Sequence, residues 1–175
     1  MPEPTKLRDG IASDWLSIDA LRKKEGAALG FIPKDAYLST LEHLPRANRA
    51  RYRYQRVLVT TDNNDLTGFT YTSYASDWAS IIQIVVRPDA RRWQRALLMA
   101  EEVERDARRF GKHGITCRVA CDLESNFFWR AIGYEPITQV VSTWLNQRES
   151  KSKRPLWVYR KPIGGLFEAN PLVKG

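Results

Sequence analysis

Long apolar runs are absent from this sequence. No stretch approaches the roughly 18 consecutive apolar residues of a membrane-spanning helix, and the first residues, MPEPTKLRDG, lack the apolar segment of a signal peptide. We therefore expect a cytoplasmic protein without a membrane partner. Internal repeats and low-complexity segments are absent too, so we predict one domain over residues 1–163 and a C-terminal tail over residues 164–175.

Residues that bind metal ions are scarce. The chain of 175 residues has two cysteines and two histidines. Cys117 and Cys121 lie at positions i and i+4 rather than in a CxxC pair, and His43 and His113 do not complete a zinc-binding pattern with them. We predict two reduced, mostly buried thiols and no metal site.

Positive charge is in excess. The chain has 28 Lys and Arg against 20 Asp and Glu, which gives a formal net charge of +8. Such an excess favours an anionic partner, and a phosphorylated ligand, a nucleic acid and an acidic protein surface all fit it equally well.

The spacing of apolar residues predicts alternating helices and strands. We predict helices over residues 14–28, 34–44, 96–110 and 125–132. We predict strands over residues 52–61, 66–74, 80–86, 115–120, 137–145 and 156–160. This order is typical of a mixed sheet with helices on both faces, an α/β fold.

The longest predicted helix has a regular apolar stripe. Its members recur at spacings of four and three residues, and they are Ala96, Ala100, Val103, Ala107 and Phe110. Such a stripe indicates a helix with one buried face. We expect Gly111 to end the helix in a left-handed cap.

A polar, arginine-rich turn joins the strand over 80–86 to this helix, in the segment IVVRPDARRWQRA. The first turn of a helix has unpaired backbone N–H groups and a partial positive charge, to which Arg91, Arg92 and Arg95 add full charges. Because cations oppose the helix dipole there, the arrangement favours a bound anion such as a pyrophosphate. The alternative is a solvated turn without a ligand.

Two motifs on these elements resemble those of GNAT acyltransferases. Val86-x-Pro88-x-x-Arg91-x-x-Gln94-x-Ala96 is similar to the family's V-x-P-x-x-R-x-x-G-x-G/A loop, and residues 126–134, NFFWRAIGY, are similar to its N-x-F-Y/W-x-x-x-G-F segment. The resemblance spans about residues 12–160 and implies a mixed, mostly antiparallel central sheet with helices on both faces. It also implies acetyl-CoA or another acyl-CoA as cofactor, and direct acyl transfer to an amine in a ternary complex.

In that family the loop amides hold the CoA pyrophosphate, and the preceding strand pairs with the pantetheine arm. The resemblance therefore implies cofactor contacts at Ile84, Val85, Val86, Arg91, Arg92, Trp93, Gln94, Arg95 and Ala96, and at Ser125 and Asn126. Gln94 departs from the motif by replacing its first glycine. Trp129 stands where many members have a tyrosine that protonates the leaving thiolate. Because an indole is not a usable acid, we predict that Trp129 packs in the core.

Two side chains are candidate catalytic residues. Gln83 is the polar residue inside the apolar strand SIIQIVV, where it either faces the reacting centre or pairs with a buried neighbour. Asp122 is the carboxylate best placed for proton transfer, with a helix N-cap as its alternative role. The resemblance further implies that a backbone N–H near Val85 stabilises the oxyanion.

Residues 46–56, RANRARYRYQR, combine arginine with tyrosine. This combination either binds phosphate backbones and stacked bases or protects a basic edge strand against aggregation. The predicted substrate contacts are Phe31, Tyr52, Arg53, Tyr54 and Tyr71. The expected acceptor is an amine of a small molecule or a protein.

The segments LGFIPK and DARRW resemble variants common in bacteriophage genomes. Phage proteins of the Mom type, which modify adenine in DNA, are GNAT-like, and the link to them is an analogy. Two alternatives therefore stay open: a phage DNA-modification enzyme that acts on a nucleobase, and a non-catalytic module that binds nucleic acid. A second copy of the chain, in a homodimer, is a further candidate partner.

Overall fold

The computed structural model describes residues 5–26, 29, 32–42, 55–91, 94–142 and 154–164. Within these residues the chain forms seven strands and four α-helices. The strands are β1 (Lys6–Asp9), β2 (Gln55–Asp62), β3 (Asp65–Ser73), β4 (Trp78–Val86), β5 (Gly114–Ala120), β6 (Glu135–Val141) and β7 (Pro155–Pro162). The helices are α1 (Trp15–Lys24), α2 (Lys34–Leu41), α3 (Gln94–Arg109) and α4 (Ser125–Ala131).

Every helix and strand predicted from the sequence is present, with ends close to the predicted ones. Parts of the prediction lie outside the described residues: 27–28, 43–44, 52–54, 143–145 and the tail over 165–175. β1 was not predicted, because its four residues, KLRD, include one apolar residue and so show no apolar alternation. It is a strand because it pairs with β2, from Lys6↔Thr61 to Asp9↔Leu58.

The strands form one sheet in the order β1-β2-β3-β4-β5-β7-β6. All neighbouring strands are antiparallel except β4 and β5, which are parallel. The crossover between these two parallel strands contains α3, as the predicted order required. The predicted mixed, mostly antiparallel sheet is therefore confirmed.

Each face of the sheet has its own hydrophobic core. One core lies under α3 and α4 and includes Val103, Ile115 and Trp129. The other lies under α1 and α2 and includes Ile18 and Phe69. Helices thus pack on both faces of the sheet, as predicted.

Most of the apolar stripe of α3 packs as predicted. Ala100, Val103 and Ala107 are fully buried. Phe110 is a correction, because the helix ends at Arg109 and the Phe110 side chain is largely exposed, with its ring against that of Tyr74. Gly111 has a φ of +63°, so the predicted left-handed cap is present.

The two cysteines are free thiols that differ in burial. Cys117 is buried and Cys121 is partly exposed, and burial raises the pKa of the Cys117 thiol. Among the described residues, no group of three or more His, Cys, Asp and Glu side chains is arranged to hold a metal ion. No described helix is both long enough and apolar enough to cross a membrane.

Candidate active site

A cleft opens in the middle of the sheet where β4 separates from β5. Their parallel pairing begins at Trp78↔Gly114 and ends at Ile81↔Cys117. Beyond that point, the remaining β4 residues pair with β3 alone. The carboxyl-terminal half of β4 therefore has one edge without a strand partner.

A β-bulge marks the start of the cleft. The register between β3 and β4 shifts between Tyr71↔Gln83 and Thr72↔Ile81, which leaves Ile82 as the extra residue. The bulge changes which face the side chains meet, because Ile81 belongs to the core under α3 and α4 whereas Val85 belongs to the core under α1 and α2. The Ile82 side chain is 41% exposed although it lies in a central strand.

The β3–β4 register decides which peptide groups face the cleft. The Arg87 N–H donates to the Thr67 carbonyl over 2.8 Å. In an antiparallel pair, every second residue directs its backbone N–H to the partner strand. Arg87 does so, and therefore Val85 also directs its N–H to β3. The N–H groups of Ile84 and Val86 then point away from β3, to the cleft. Of these three predicted contact residues, Ile84 and Val86 line the cleft, while the Val85 side chain is buried in the core.

The arginine-rich loop lies at the open end of the cleft. It contains a short 3-10 turn at Pro88–Ala90 and leads into α3. The Arg91 Nε donates to the Val86 carbonyl over 3.1 Å, and its Nη2 pairs with Glu25 at 2.6 Å. Arg91 thus supports the loop and places a cation beside it. Gln94 is exposed and Ala96 is partly buried, both in the first turn of α3.

Arg95 joins the start of α3 to the end of β2. Its Nη1 donates to the Ala90 carbonyl over 2.8 Å, and its Nη2 pairs with Asp62. The hydrogen bond from Arg95 lowers the pKa of Asp62 below its ordinary value of 3.8. Asp62 and Arg95 therefore hold the loop in place by an ion pair that exists only while the carboxylate is charged.

This ion pair predicts a pH dependence. A carboxyl group whose pKa is lower in the folded state than in the unfolded state stabilises the fold at pH values above its unfolded-state pKa. This stabilisation is lost as the pH falls through the folded-state pKa. We expect Asp62→Asn to flatten the fall in melting temperature as the pH is lowered through and below the ordinary carboxyl pKa of 3.8, compared with the unaltered chain. Thermal unfolding over this pH range measures it, with the exposed Asp65→Asn as control. Equal slopes for all three proteins would contradict the prediction.

Gln83 pairs with a buried neighbour, which is one of its two predicted alternatives. The residue is 3% exposed, and its Oε1 accepts a hydrogen bond from the hydroxyl of Tyr37 in α2. Thr70 donates to the Gln83 carbonyl over 2.9 Å. Burial raises the pKa of Tyr37, so its phenol stays protonated at neutral pH and acts as a donor. The contact between Tyr37 and Gln83 joins α2 to the strand that carries the bulge.

Tyr71 is a correction to the predicted substrate contacts. It is 1% exposed, with its ring 4.8 Å from that of Tyr37 and its hydroxyl bonded to Gln55. A side chain so buried packs α2 onto the sheet and has no surface to offer a substrate. The other predicted substrate contacts, Phe31, Tyr52, Arg53 and Tyr54, lie outside the described residues, as do Arg92 and Trp93.

Asp122 follows β5 and forms an exposed, bidentate ion pair. Both of its carboxylate oxygens accept hydrogen bonds from Arg154 Nη2, at 2.9 and 3.0 Å. The alternative role as a helix N-cap is wrong, because α4 begins at Ser125 and its N-cap residue is Glu124. The ion pair connects the end of β5 with the residue that precedes β7.

Asn126 supports the turn between β5 and α4. Its Nδ2 donates to the carbonyls of Ala120 and Leu123, at 2.8 and 2.6 Å, and its Oδ1 accepts from the Tyr159 hydroxyl at 3.0 Å. Ser125 is exposed at the first position of α4. Trp129 is buried against Tyr134, in the core position predicted for it.

The architecture is shared with known acetyltransferases. The ribosomal-protein-S18-alanine N-acetyltransferase from Escherichia coli is 14% identical, with a TM-score of 0.70 over 95% of this chain and 98% of that chain. NAA60 from Arabidopsis thaliana, in complex with a bisubstrate analogue, is 11% identical, with a TM-score of 0.74 over 93% of this chain and 99% of that chain. The yncA protein from Salmonella typhimurium, solved with its cofactor acetyl-CoA, is 16% identical, with a TM-score of 0.68 over 91% of this chain and 94% of that chain. No family model and no curated protein sequence matches the chain.

These likenesses establish the fold. The chain has the GNAT fold, as its two sequence motifs predicted, with the cleft between the two parallel strands of the sheet. At identities this low, fold similarity does not by itself transfer an activity. The activity has to be argued from the chemistry of the cleft and its loop.

Proposed function

We propose that this chain is an N-acyltransferase that uses acetyl-CoA or a related acyl-CoA. One observation carries the proposal: β4 separates from β5 directly beside an arginine-rich loop that leads into α3. The free edge of β4 suits an extended ligand that contains amide groups, and the loop suits phosphates. Coenzyme A combines these two parts. The acetyl-CoA complexes of yncA and NAA60, which share the fold, support the choice.

The residues of the cleft fit such a donor. Ile84 and Val86 direct peptide groups into it, and Arg91 places a cation at its open end. Gln94, in place of the motif glycine, is exposed, so its side chain can extend into solvent. When bound, the acyl-CoA supplies an electrophilic thioester carbonyl.

The chain's own groups position the reactants and stabilise developing charge. Peptide groups of β4 orient the donor beside the acceptor, which raises the rate through proximity. We assign the N–H that stabilises the oxyanion to Ile84 or Val86, in place of Val85, because the Val85 N–H faces β3.

Proton transfer needs a separate group. Gln83 is an amide and cannot take the proton of the attacking amine. We assign it a positioning role instead, because its hydrogen bond with Tyr37 holds β4 against α2. Asp122 remains our candidate for the base, acting directly or through water. Trp129 is buried and is not an acid, so the leaving thiolate takes its proton from solvent.

Binding of acetyl-CoA tests the proposal. At about one hundred times its Kd, the ligand is expected to raise the free energy of unfolding by about 2.7 kcal/mol, measured as a thermal shift. We expect Arg91→Glu to weaken binding about tenfold or more, because it replaces a cation near the phosphates by an anion. Arg105→Glu, on the exposed side of α3, is the matched control and should bind normally.

The absence of any thermal shift with millimolar acetyl-CoA would refute the acyltransferase and favour a non-catalytic module. The alternative of a nucleobase acceptor rests on the phage-type segments and on the basic, aromatic segment over residues 46–56, of which residues 46–54 lie outside the described residues. Mass analysis of nucleosides from DNA incubated with the protein and acetyl-CoA separates it from an amine acceptor.

A further inference from the structure

One half of the sheet has a face that no described helix covers. The core under α1 and α2 takes its sheet residues from β2, β3 and β4, and it contains none from β5, β6 or β7. On this same face, the alternate residues of β4, β5 and β7 are exposed or partly exposed. We call these residues the open face: Trp78, Ser80, Ile82, Thr116, Arg118, Val158 and Arg160.

The contrast with the other face of these strands is sharp. Ala79, Ile115, Cys117 and Tyr159 alternate with the open-face residues and are buried under α3 and α4. The open face is therefore exposed because no described helix packs on that side, although the strands themselves are regularly paired.

Two arginines of the open face form no ion pair within the part of the chain that the structure describes. The side chains of Arg118 and Arg160 make no ion pair with any described residue, whereas Arg56, Arg91 and Arg95 all do. Arg118 lies opposite Val158 and Arg160 lies opposite Thr116, so the two arginines are diagonal neighbours on adjacent strands.

The side chain of Arg160 contacts a neighbouring aromatic ring. Its guanidinium lies 4.9 Å from the centre of the Trp78 ring, a cation–π contact. Glu135 lies opposite Arg160 in β6 but makes no ion pair within the described part of the chain. Two exposed arginines on one surface favour an anionic occupant.

The open face runs directly to the cleft. Arg118 follows Cys117, which is the last β5 residue that pairs with β4. Ile82, the bulge residue, lies across the opening and exposes apolar surface there. An occupant of the open face would therefore lie beside the position at which the acceptor amine must react.

We propose that the open face binds an acidic polypeptide segment of the acceptor, which makes the acceptor a protein or peptide with carboxylates near its reactive amine. This inference rests on the proposed function. Carboxylates pair with the guanidinium groups of Arg118 and Arg160 in bidentate hydrogen bonds. Apolar side chains of the same segment pack against Ile82 and Val158.

Charge and chemistry disfavour two other occupants. In a symmetric dimer through this face, the contact would bring Arg118 and Arg160 against the same two arginines of the second copy. A single-stranded nucleic acid needs exposed aromatic rings on which bases stack. Within the open face the aromatic residue is Trp78, and its ring is in contact with Arg160 and lies close to Gly114.

Peptide binding by the full chain tests the proposal directly. The probe is a peptide Ala-Glu-Val-Glu-Val-Glu with a free N-terminal amine and a fluorescent label at its other end, and its affinity is measured by fluorescence anisotropy. A peptide with lysine in place of glutamate is the second probe. We expect the acidic peptide to bind at least about tenfold more tightly than the basic one, and the preference to weaken with added salt.

A charge reversal distinguishes this site from a general attraction to a basic protein. Arg118→Glu is expected to weaken binding of the acidic peptide about tenfold and to strengthen binding of the basic peptide. Arg105→Glu makes the same change in net charge on the exposed side of α3 and should leave both affinities close to their original values. Arg118→Lys should retain much of the preference, because it keeps the charge.

Four results would overturn the proposal. Equal binding of the two peptides would exclude an acidic segment. Weakening by Arg105→Glu as large as by Arg118→Glu would mean that net charge alone attracts the peptide. If sedimentation velocity shows a dimer that Arg118→Glu abolishes, the occupant is a second copy of the chain. If the protein binds a labelled DNA single strand but neither peptide, and Arg118→Glu abolishes DNA binding, the occupant is a nucleic acid. Because acetyl-CoA binding is measured separately, peptide binding without it would refute the acyltransferase and leave the acidic site standing.

Discussion

Replacement of Arg56 by methionine is expected to lower the free energy of unfolding by about 3–5 kcal/mol. Arg56 Nε pairs with Asp9 at 2.6 Å, and its Nη1 contacts Glu102 and Asp106. Asp106 is almost fully buried in α3. Removal of the cation leaves the buried Asp106 carboxylate facing two other carboxylates, with the more distant Arg109 at 3.6 Å and the Tyr74 hydroxyl as its remaining partners among the described residues. This loss is far more costly than the loss of an exposed ion pair.

Urea unfolding of three variants tests this explanation. Arg105→Met removes an exposed arginine that pairs with Glu102, and it should cost no more than about 1 kcal/mol. The double variant Arg56→Met, Asp106→Leu should recover part of the lost stability, because it also removes the stranded charge. If Arg56→Met were as stable as Arg105→Met, the ion pairs at Arg56 would contribute nothing to the fold.

Replacement of Trp129 by alanine is expected to destabilise the protein by about 3–5 kcal/mol. The indole lies in the core under α3 and α4, with its ring centre 5.2 Å from that of Phe128 and 4.9 Å from that of Tyr134. Its loss leaves a large cavity between α4 and the sheet. Phe127→Ala, on the same helix but 74% exposed, should change stability by no more than about 0.5 kcal/mol.

A conservative variant separates packing from chemistry at this position. Trp129→Phe keeps an aromatic ring in the core and should cost much less than alanine. If Trp129 only packs, the folded Trp129→Phe protein retains its rate of acyl transfer. A folded Trp129→Phe protein with normal acetyl-CoA binding but a large loss of kcat would show that the indole takes part in the reaction.

Local patterns were enough to predict most of the fold. The buried strand SIIQIVV, the apolar stripe of α3 and the cap at Gly111 each follow from residues that are close in the chain. Helix periodicity and turn chemistry act over a few residues, so they can be read from the sequence. β1 was missed because its identity as a strand comes from pairing with β2, about fifty residues further along the chain.

The candidate site could be predicted only in part. The arginines and the helix that follows predict an anion-binding loop, which stays a prediction, whereas the separation of β4 from β5 and the bulge at Ile82 were not predicted. Tyr71 was predicted to contact the substrate and is buried, since α2 covers it in the fold. The Tyr37 contact of Gln83 and the open face around Arg118 likewise join residues from distant segments.

The amino-acid sequence alone thus defines the order of the elements and a strand–loop–helix with the charge and free N–H groups to bind an anion. These properties depend on neighbouring residues and on the backbone. The tertiary structure decides which groups the cleft exposes. Because strand register, the bulge and the helices that pack on each face are set by contacts between distant segments, only the fold directs Ile84 and Val86 towards the cleft and leaves Arg118 and Arg160 uncovered beside it.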